Sequence, residues 1–155
     1  MGHTNIDIDA FGSALGMYRL CKTLEKEVFI VSEPKGKSLG KFLDILEKEE
    51  EYKNTIISEE EALDLITEKT LLIIVDTHKS SYVEFPGLLE KVERKIIIDH
   101  HRKAPDYIEN ALVSFHEVYA SSAAELVTEI VQYSEVEVKL NLIEAESLYG
   151  GIMVD

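Results

Sequence analysis

Cys21 is the single cysteine in a chain of 155 residues. No internal disulfide can form, which excludes a disulfide-stapled secreted module and suits a reducing compartment. Cys21 lies within a helical pattern and reads as a core or surface helix residue. Long apolar runs are lacking too. The longest spans about five residues, against about 20 for a membrane helix. A basic segment followed by an apolar one, the signature of a secretory signal, is not present. Low-complexity tracts, internal repeats and Pro/Gly/Ser-rich linkers are missing, so the length points to one domain with a real core. Cations are scarce: 16 Lys and Arg stand against 30 Asp and Glu, for a formal charge of -14. Long-range attraction to duplex nucleic acid needs a basic face, and that partner class is excluded. A polyanionic ligand must be drawn in locally, by metal ions and a few cationic side chains. Part of the acidity is bland, since residues 47–51 and 59–61 read as solvated helix faces or caps.

What is present is a composition of 45% hydrophobic and 30% charged residues, ordinary for a soluble globular protein. Hydrophobic spacing alternates between helix and strand. Phe11, Ala14, Leu15, Tyr18, Leu20 and Leu24 predict a helix over 8–25. Strands are expected at 28–31, 55–57, 71–75 and 95–98, and residues 113–116 are strand-like. A loop covers 34–40, a short helix follows around Phe42 to Leu46, and a further helix is expected over 86–92. Ser58 with Glu61 reads as a capping box for a helix to Ile66, and Ser122 with Glu125 as another for a helix to about Tyr133. Residues 140–154 are mostly helical in pattern, with Gly150-Gly151 loosening the last turns. Strands alternating with helices predict an α/β fold, a Rossmann-like parallel sheet with helices on both faces. In such folds ligands sit at the carboxyl ends of strands.

The chemistry concentrates at those ends. Ile96-Ile97-Ile98 runs straight into Asp99-His100-His101-Arg102, and two imidazoles beside a carboxylate can bind a metal ion. Ile73-Ile74-Val75 ends at Asp76-Thr77-His78. Near the N-terminus, His3, Asp7 and Asp9 lie within seven residues, just before the first helix. Two readings stand for this segment. Asp7 or Asp9 caps the helix, or the two acids converge on one pocket with His3 folded back. Capping explains one acid well and the pair plus His3 poorly. Asp155 closes the chain and means nothing taken alone. Other candidates are bland by default. His116 reads as structural, Ser121 and Ser122 as caps, with a phosphate at that helix N-terminus as their alternative. Gly36 and Gly40, among Lys35, Lys37 and Lys41, do not complete a phosphate-cradling loop.

Four segments carry a resemblance: Gly-His-x-x-x-Asp-x-Asp-Ala-x-Gly over 2–12, Val-Asp-Thr-His over 75–78, Asp-His-His-Arg over 99–102 and Gly-Ile-x-x-Asp over 151–155. In this order they resemble the DHH domain of the DHH–DHHA1 phosphoesterases. The Asp-Thr-His form of the second segment, with Tyr119-Ala120-Ser121-Ser122, is similar more narrowly to the cyclic di-AMP phosphodiesterases of the GdpP (YybT) type. The resemblance covers essentially the whole chain. It implies two manganese ions, other divalent ions being admissible, with His3, Asp7 and Asp76 holding one, and Asp9, Asp76, His100 and Asp155 the other. Asp76 would bridge, Asp76, His100 and His101 would be catalytic, and His101, Arg102 and His78 would meet the substrate. The oxygen-rich donor set agrees with such ions better than with a structural thiolate zinc site.

The implied reaction is hydrolysis of cyclic di-AMP to linear pApA. Two other readings remain. One is an oligoribonuclease or nucleoside-bisphosphate phosphatase of the same superfamily. The other is a non-catalytic metal- or nucleotide-binding fragment, and an acidic scaffold for protein partners would leave the acid and histidine clusters unexplained. Relative to the family, the strand before the first motif is missing and the chain stops at Asp155. The expectation is therefore a fragment, residues 1–155, of a longer protein. The DHHA1 domain would follow it, and the full-length protein would be membrane-anchored with this domain in the cytoplasm.

Overall fold

The computed structural model describes residues 1–33 and 39–154, Lys41 by its backbone alone. The loop positions Lys35, Gly36 and Lys37, the side chain of Lys41, and the expected ligand Asp155 lie outside the described residues.

Helix α1 (Ile8–Thr23) starts at Asp7, whose carboxylate accepts the Ala10 amide at 3.0 Å. Strand β1 (Ile30–Val31), helix α2 (Gly40–Leu46), strand β2 (Ile56–Ile57) and helix α3 (Glu59–Leu65) follow. The capping box expected for α3 is formed, Ser58 and Glu61 satisfying each other's amides. Then come β3 (Leu71–Val75), α4 (Pro86–Lys91), β4 (Arg94–Asp99), β5 (Val113–His116), α5 (Ala123–Gln132) and α6 (Leu142–Val154). Strand β1 is shorter than the apolar run 28–31 suggests, since only Ile30 and Val31 find register partners, Ile56 and Ile57.

All strand pairings among the described residues are parallel except one isolated bridge, between His3 and Val83. One parallel sheet was the expectation. The strands instead form two sheets, β1–β2 and β3–β4–β5. Met1 lies along β3, its ammonium donating to the Ile73 carbonyl and its own carbonyl accepting the Val75 amide, both at 3.0 Å.

The period-2 alternation of the strands decides which helix covers which face. Ile73 and Val75 of β3, with Ile96 and Ile98 of β4, pack among Phe11, Leu15, Leu126, Val127 and Leu148 of α1, α5 and α6. Leu72, Ile74 and Ile97 point the other way, onto Ala62 of α3 and Leu88 of α4 and onto Val83, Phe85, Val92 and Ile108. Both faces are thus covered, as the unbroken apolar runs require. Each fully buried Leu, Ile or Phe side chain contributes about 1.5–3 kcal/mol relative to exposure.

Helix α1 is buried along most of its length. Its glycines allow α6 to touch it backbone to backbone: a Cβ on Gly12 would lie 2.4 Å from the Ser147 carbonyl oxygen. Gly151 of α6 lies against Ala124 and the Asp9 backbone in the same manner. A buried polar cluster locks this crossing. Arg19 donates through Nε to both Glu144 oxygens (2.8 and 2.9 Å), Tyr52 donates to Glu144 at 2.6 Å, and the Asn141 amide adds a third donor at 2.9 Å. Glu144 is fully buried, and so many donors offset the loss of its hydration.

The crossing yields a sign prediction. Helix propensity alone makes Gly→Ala stabilising by about 1 kcal/mol. At Gly12 the Ser147 backbone must be displaced, so Gly12→Ala should instead lower unfolding free energy by about 1–3 kcal/mol. Denaturant midpoints measure this, and an unchanged or raised midpoint would refute the contact.

Candidate active site

Strands β3 and β4 end side by side, and the turns after them carry the chemistry. Asp76 follows β3 with a positive φ of 60°. Its amide donates to the Ile98 carbonyl at 2.8 Å, so the chain turns sharply while tied to the neighbouring strand. A left-handed non-glycine residue is strained by about 1–2 kcal/mol, and such strain clusters at functional positions. Asn5, also left-handed at φ 60°, makes the corresponding turn between His3 and Asp7.

These turns bring three of the four sequence motifs together. His3 donates through Nδ1 to the Thr4 carbonyl at 2.8 Å. That bond leaves Nε2 facing Asp7 Oδ2 at 3.5 Å and Asp76 Oδ2 at 3.4 Å. On the other side, His100 Nε2 lies 3.4 Å from Asp76 Oδ1 and 3.6 Å from Asp9 Oδ2. Asp76 therefore stands between two His–Asp pairs, one oxygen toward each. It is buried, and its Oδ1 makes no hydrogen bond. Two ligand atoms each about 2.1 Å from one cation lie about 3–3.5 Å apart. An orphaned buried carboxylate oxygen, imidazole nitrogens at that spacing and a backbone bond fixing the tautomer of His3 are what a divalent-cation site needs. His3, Asp7 and Asp76 form one such group, and Asp76, His100 and His101 another.

Both readings of Asp7 and Asp9 hold at once. Asp7 caps α1 with Oδ1 and turns Oδ2 to His3. Asp9 caps a different helix: its oxygens accept the Ala123 amide at 2.8 Å and the Ala124 amide at 2.7 Å, at the start of α5. Each carboxylate oxygen keeps a second lone pair for a cation. A consequence corrects two expectations about Ser121 and Ser122. Ser122 does cap α5, accepting the Glu125 amide at 3.0 Å. Glu125, however, reaches back to Ser121 (amide 2.6 Å, hydroxyl 2.7 Å) and not to Ser122, so no capping box closes. The amides of Ala123, Ala124 and Glu125, those a phosphate at this helix end would use, are taken by Asp9 and Ser122.

Asp99 closes β4 inside the strand, paired with His116 of β5, and is fully buried. Its oxygens face His101 Nδ1 at 2.8 Å and His78 Nδ1. Asp99 therefore serves these two imidazoles and is not turned toward His3 or His100. His101 is about half exposed, with a side-chain relative exposure of 51%, and its engaged Nδ1 leaves Nε2 as the nitrogen available to a substrate. Arg102 is exposed beside it. His78 does not fit the substrate-contact role expected of it. It is buried, and its Nε2 accepts the Ala104 amide at 2.9 Å while Nδ1 meets Asp99. Both of its nitrogens are spent inside the protein.

Sequence reasoning missed Tyr82, whose ring stacks on His3 at 5.1 Å between centroids and 8° between planes. Nothing in the sequence flags a tyrosine 79 positions away. Cys21 behaves as expected: burial pushes its thiol pKa up, away from reactivity.

Parallel strands ending in a buried, imidazole-flanked carboxylate define an α/β domain whose acids and imidazoles meet at one sheet edge. The chain belongs to the DHH family: residues 1–152 match its N-terminal domain. It is 41% identical over 157 residues to the cyclic-di-AMP phosphodiesterase GdpP of Bacillus subtilis (strain 168), and 38% identical over 158 residues to PdeA, the cyclic-di-AMP phosphodiesterase of Listeria monocytogenes serotype 1/2a (strain 10403S). In both cases all of this chain is aligned, and it spans 24% of the length of the relative. An exopolyphosphatase-related protein from Bacteroides fragilis shares the fold, with a TM-score of 0.75 at 23% identity over 98% of this chain and 44% of that one.

Electrostatics set a testable pH dependence. Burial lowers the His3 pKa, but Asp7 and Asp76 outweigh it and raise it to about 11. The same contact, with the Ala10 amide, overrides burial at Asp7 and holds it below its usual value. A proton on His3 supplies positive charge between Asp7 and Asp76. A raised histidine contributes stability that is full below its unfolded pKa of about 6.5 and is lost as pH rises toward the folded value. In chelator, the melting temperature should therefore fall from pH 7 to pH 10, and His3→Gln should remove that part of the slope. Manganese should stabilise more at the upper end, because it competes with the proton. A slope that His3→Gln leaves intact would exclude this coupling.

Proposed function

We propose that this domain is the catalytic part of a metal-dependent phosphodiesterase that hydrolyses cyclic di-AMP to linear pApA. The observation carrying the reading is Asp76, strained, buried and facing His3 and Asp7 with one oxygen and His100 and Asp9 with the other. The resemblance to GdpP and PdeA, whose names state that activity, supports the substrate.

In this reading His3, Asp7 and Asp76 hold one divalent cation, manganese or a similar hard ion, and Asp9, Asp76 and His100 a second, joined by Asp155. Bound, such a pair of ions supplies a nucleophile at neutral pH and neutralises charge on the phosphoryl oxygens. The chain's own residues do the rest. Asp9 ties the site to α5, so the start of α1 that carries Asp7 and Asp9 is fastened to a second helix. His101, held by Asp99, presents Nε2 to a phosphate oxygen, and Asp99 raises the His101 pKa, favouring a proton donor. Arg102 adds a cation at the rim of an acidic molecule. His78 acts through Asp99 without meeting the substrate. The DHHA1 domain, and a membrane anchor that leaves this domain in the cytoplasm, belong to the longer protein proposed here. No helix among the described residues is long and apolar enough to cross a membrane.

The test is turnover of cyclic di-AMP by the natural full-length protein with manganese, products resolved by chromatography. Linear pApA should accumulate. Preferential release of mononucleotides from linear dinucleotides would favour the oligoribonuclease reading, and manganese binding without any turnover the non-catalytic one. Loss of residues that merely orient a metal ligand costs about 10–100-fold, so His100→Ala should reduce kcat by at least about a hundredfold.

A further inference from the structure

His78, Asp99 and His116 form a third His–Asp group with ligand atoms mutually within 4.8 Å. It resembles a metal site by composition but not by bonding. The Ala104 amide donates to His78 Nε2 at 2.9 Å, and an amide can only donate. His78 Nε2 is therefore bare, its proton sits on Nδ1, and that N–H points at Asp99 Oδ2. Asp99 Oδ1 accepts the ring Nδ1–H of His101 at 2.8 Å and its main-chain amide at 3.3 Å. His116 Nε2 donates to the His101 carbonyl, and its ring packs on His78 at 4.7 Å between centroids. Both ring nitrogens of His78 and both oxygens of Asp99 are thus engaged within the protein, so the group reads as a hydrogen-bond relay.

The chain of bonds has a direction. It starts at a backbone amide, passes through a buried neutral imidazole and a buried carboxylate, and ends on the half-exposed ring of His101. We propose that His78 is a positioning residue: through Asp99 it fixes His101 with the proton on Nδ1 and the Nε2 edge presented to the substrate phosphate. This deepens the phosphodiesterase reading and rests on it. Without the Nδ1–H of His78, Asp99 is held from the His101 side alone, and the bond that defines the tautomer and aim of that ring loses its support from behind. The arrangement needs the burial of Asp99, since an exposed carboxylate would be held equally well by water.

The experiment pairs two amide substitutions. Asn places its NH2 near the position of Nδ1 and keeps the bond to Asp99. Gln places it near Nε2 and does not. In the full-length protein with manganese and cyclic di-AMP, His78→Gln should lower kcat by about 10–100-fold with KM changed far less, and His78→Asn should recover most of it. Nuclear magnetic resonance on the full chain supplies a readout free of turnover. Wild type should show hydrogen-bonded, low-field Nδ1–H protons on both His78 and His101, and His78→Gln should shift or broaden that of His101. Equal losses in both variants, a kcat unchanged in His78→Gln, or an unmoved His101 proton would overturn the inference. If His78→Gln does not fold, the wild-type spectrum decides alone: His101 lacking an Nδ1–H proton sinks it. A wild-type enzyme inactive on all phosphodiesters would remove the functional reading instead, and the proton spectrum would still test the clamp.

Discussion

Four aspartates, Asp7, Asp9, Asp76 and Asp99, converge on the ends of two adjacent strands, and this crowding of like charge is the constraint around which the site is arranged. Carboxylates so close raise one another's pKa unless each is compensated. The protein compensates three with its own donors. Asp7 has the Ala10 amide and His3, Asp9 has two amides of α5, and Asp99 has His78 and His101. Asp99 is held well below the usual carboxylate range against the opposing effect of burial. Asp76 is different. One of its oxygens is buried and makes no hydrogen bond, and its backbone is in the left-handed region. In the proposed reading, this is the place where a cation from outside the chain completes the structure.

The rest of the fold is a mount for this arrangement. Helix α1 carries Asp7 and Asp9 at its first turn and runs back through the core. Helix α6 can approach it closely because Gly12 and Gly151 have no side chains at the contact, and Gly151 sits directly on Asp9. The Arg19–Glu144 pair, with Tyr52 and Asn141, fixes the sliding of one helix on the other. Asp9 in turn anchors α5. Helices α1, α5 and α6 are thus coupled through one carboxylate, so a shift in packing on that face of the sheet would be felt directly at the site.

The two tandem imidazoles divide their work. His100 looks inward to Asp76 and Asp9. His101 looks outward, with its ring steered from behind by Asp99. The two rings are neighbours, 4.5 Å between centroids, and differ in burial and in partner: the His100 ring is enclosed, while the His101 ring is half exposed and held by Asp99. In the proposed reading, this local placement of imidazole and Arg102 replaces a basic surface as the means by which an acidic chain meets a phosphate.

Much of this was legible from the order of residues. Period-2 and period-3.6 spacing marked the strands and helices, because burial of one face imposes a period on the chain. Apolar runs ending in Asp76 and Asp99 marked the strand ends, and His3, Asp7, Asp9, Asp76 and His100 were named as a group that the structure does bring together. What spacing cannot encode is which lone pair points where. That Asp9 caps α5, that Tyr82 lies on His3, that His78 is spent on Asp99 and Ala104, and that the strands part into two sheets all depend on contacts between residues far apart in the chain. Those contacts are decided by helix packing and by the φ of single residues, quantities that exist only once the chain is closed on itself.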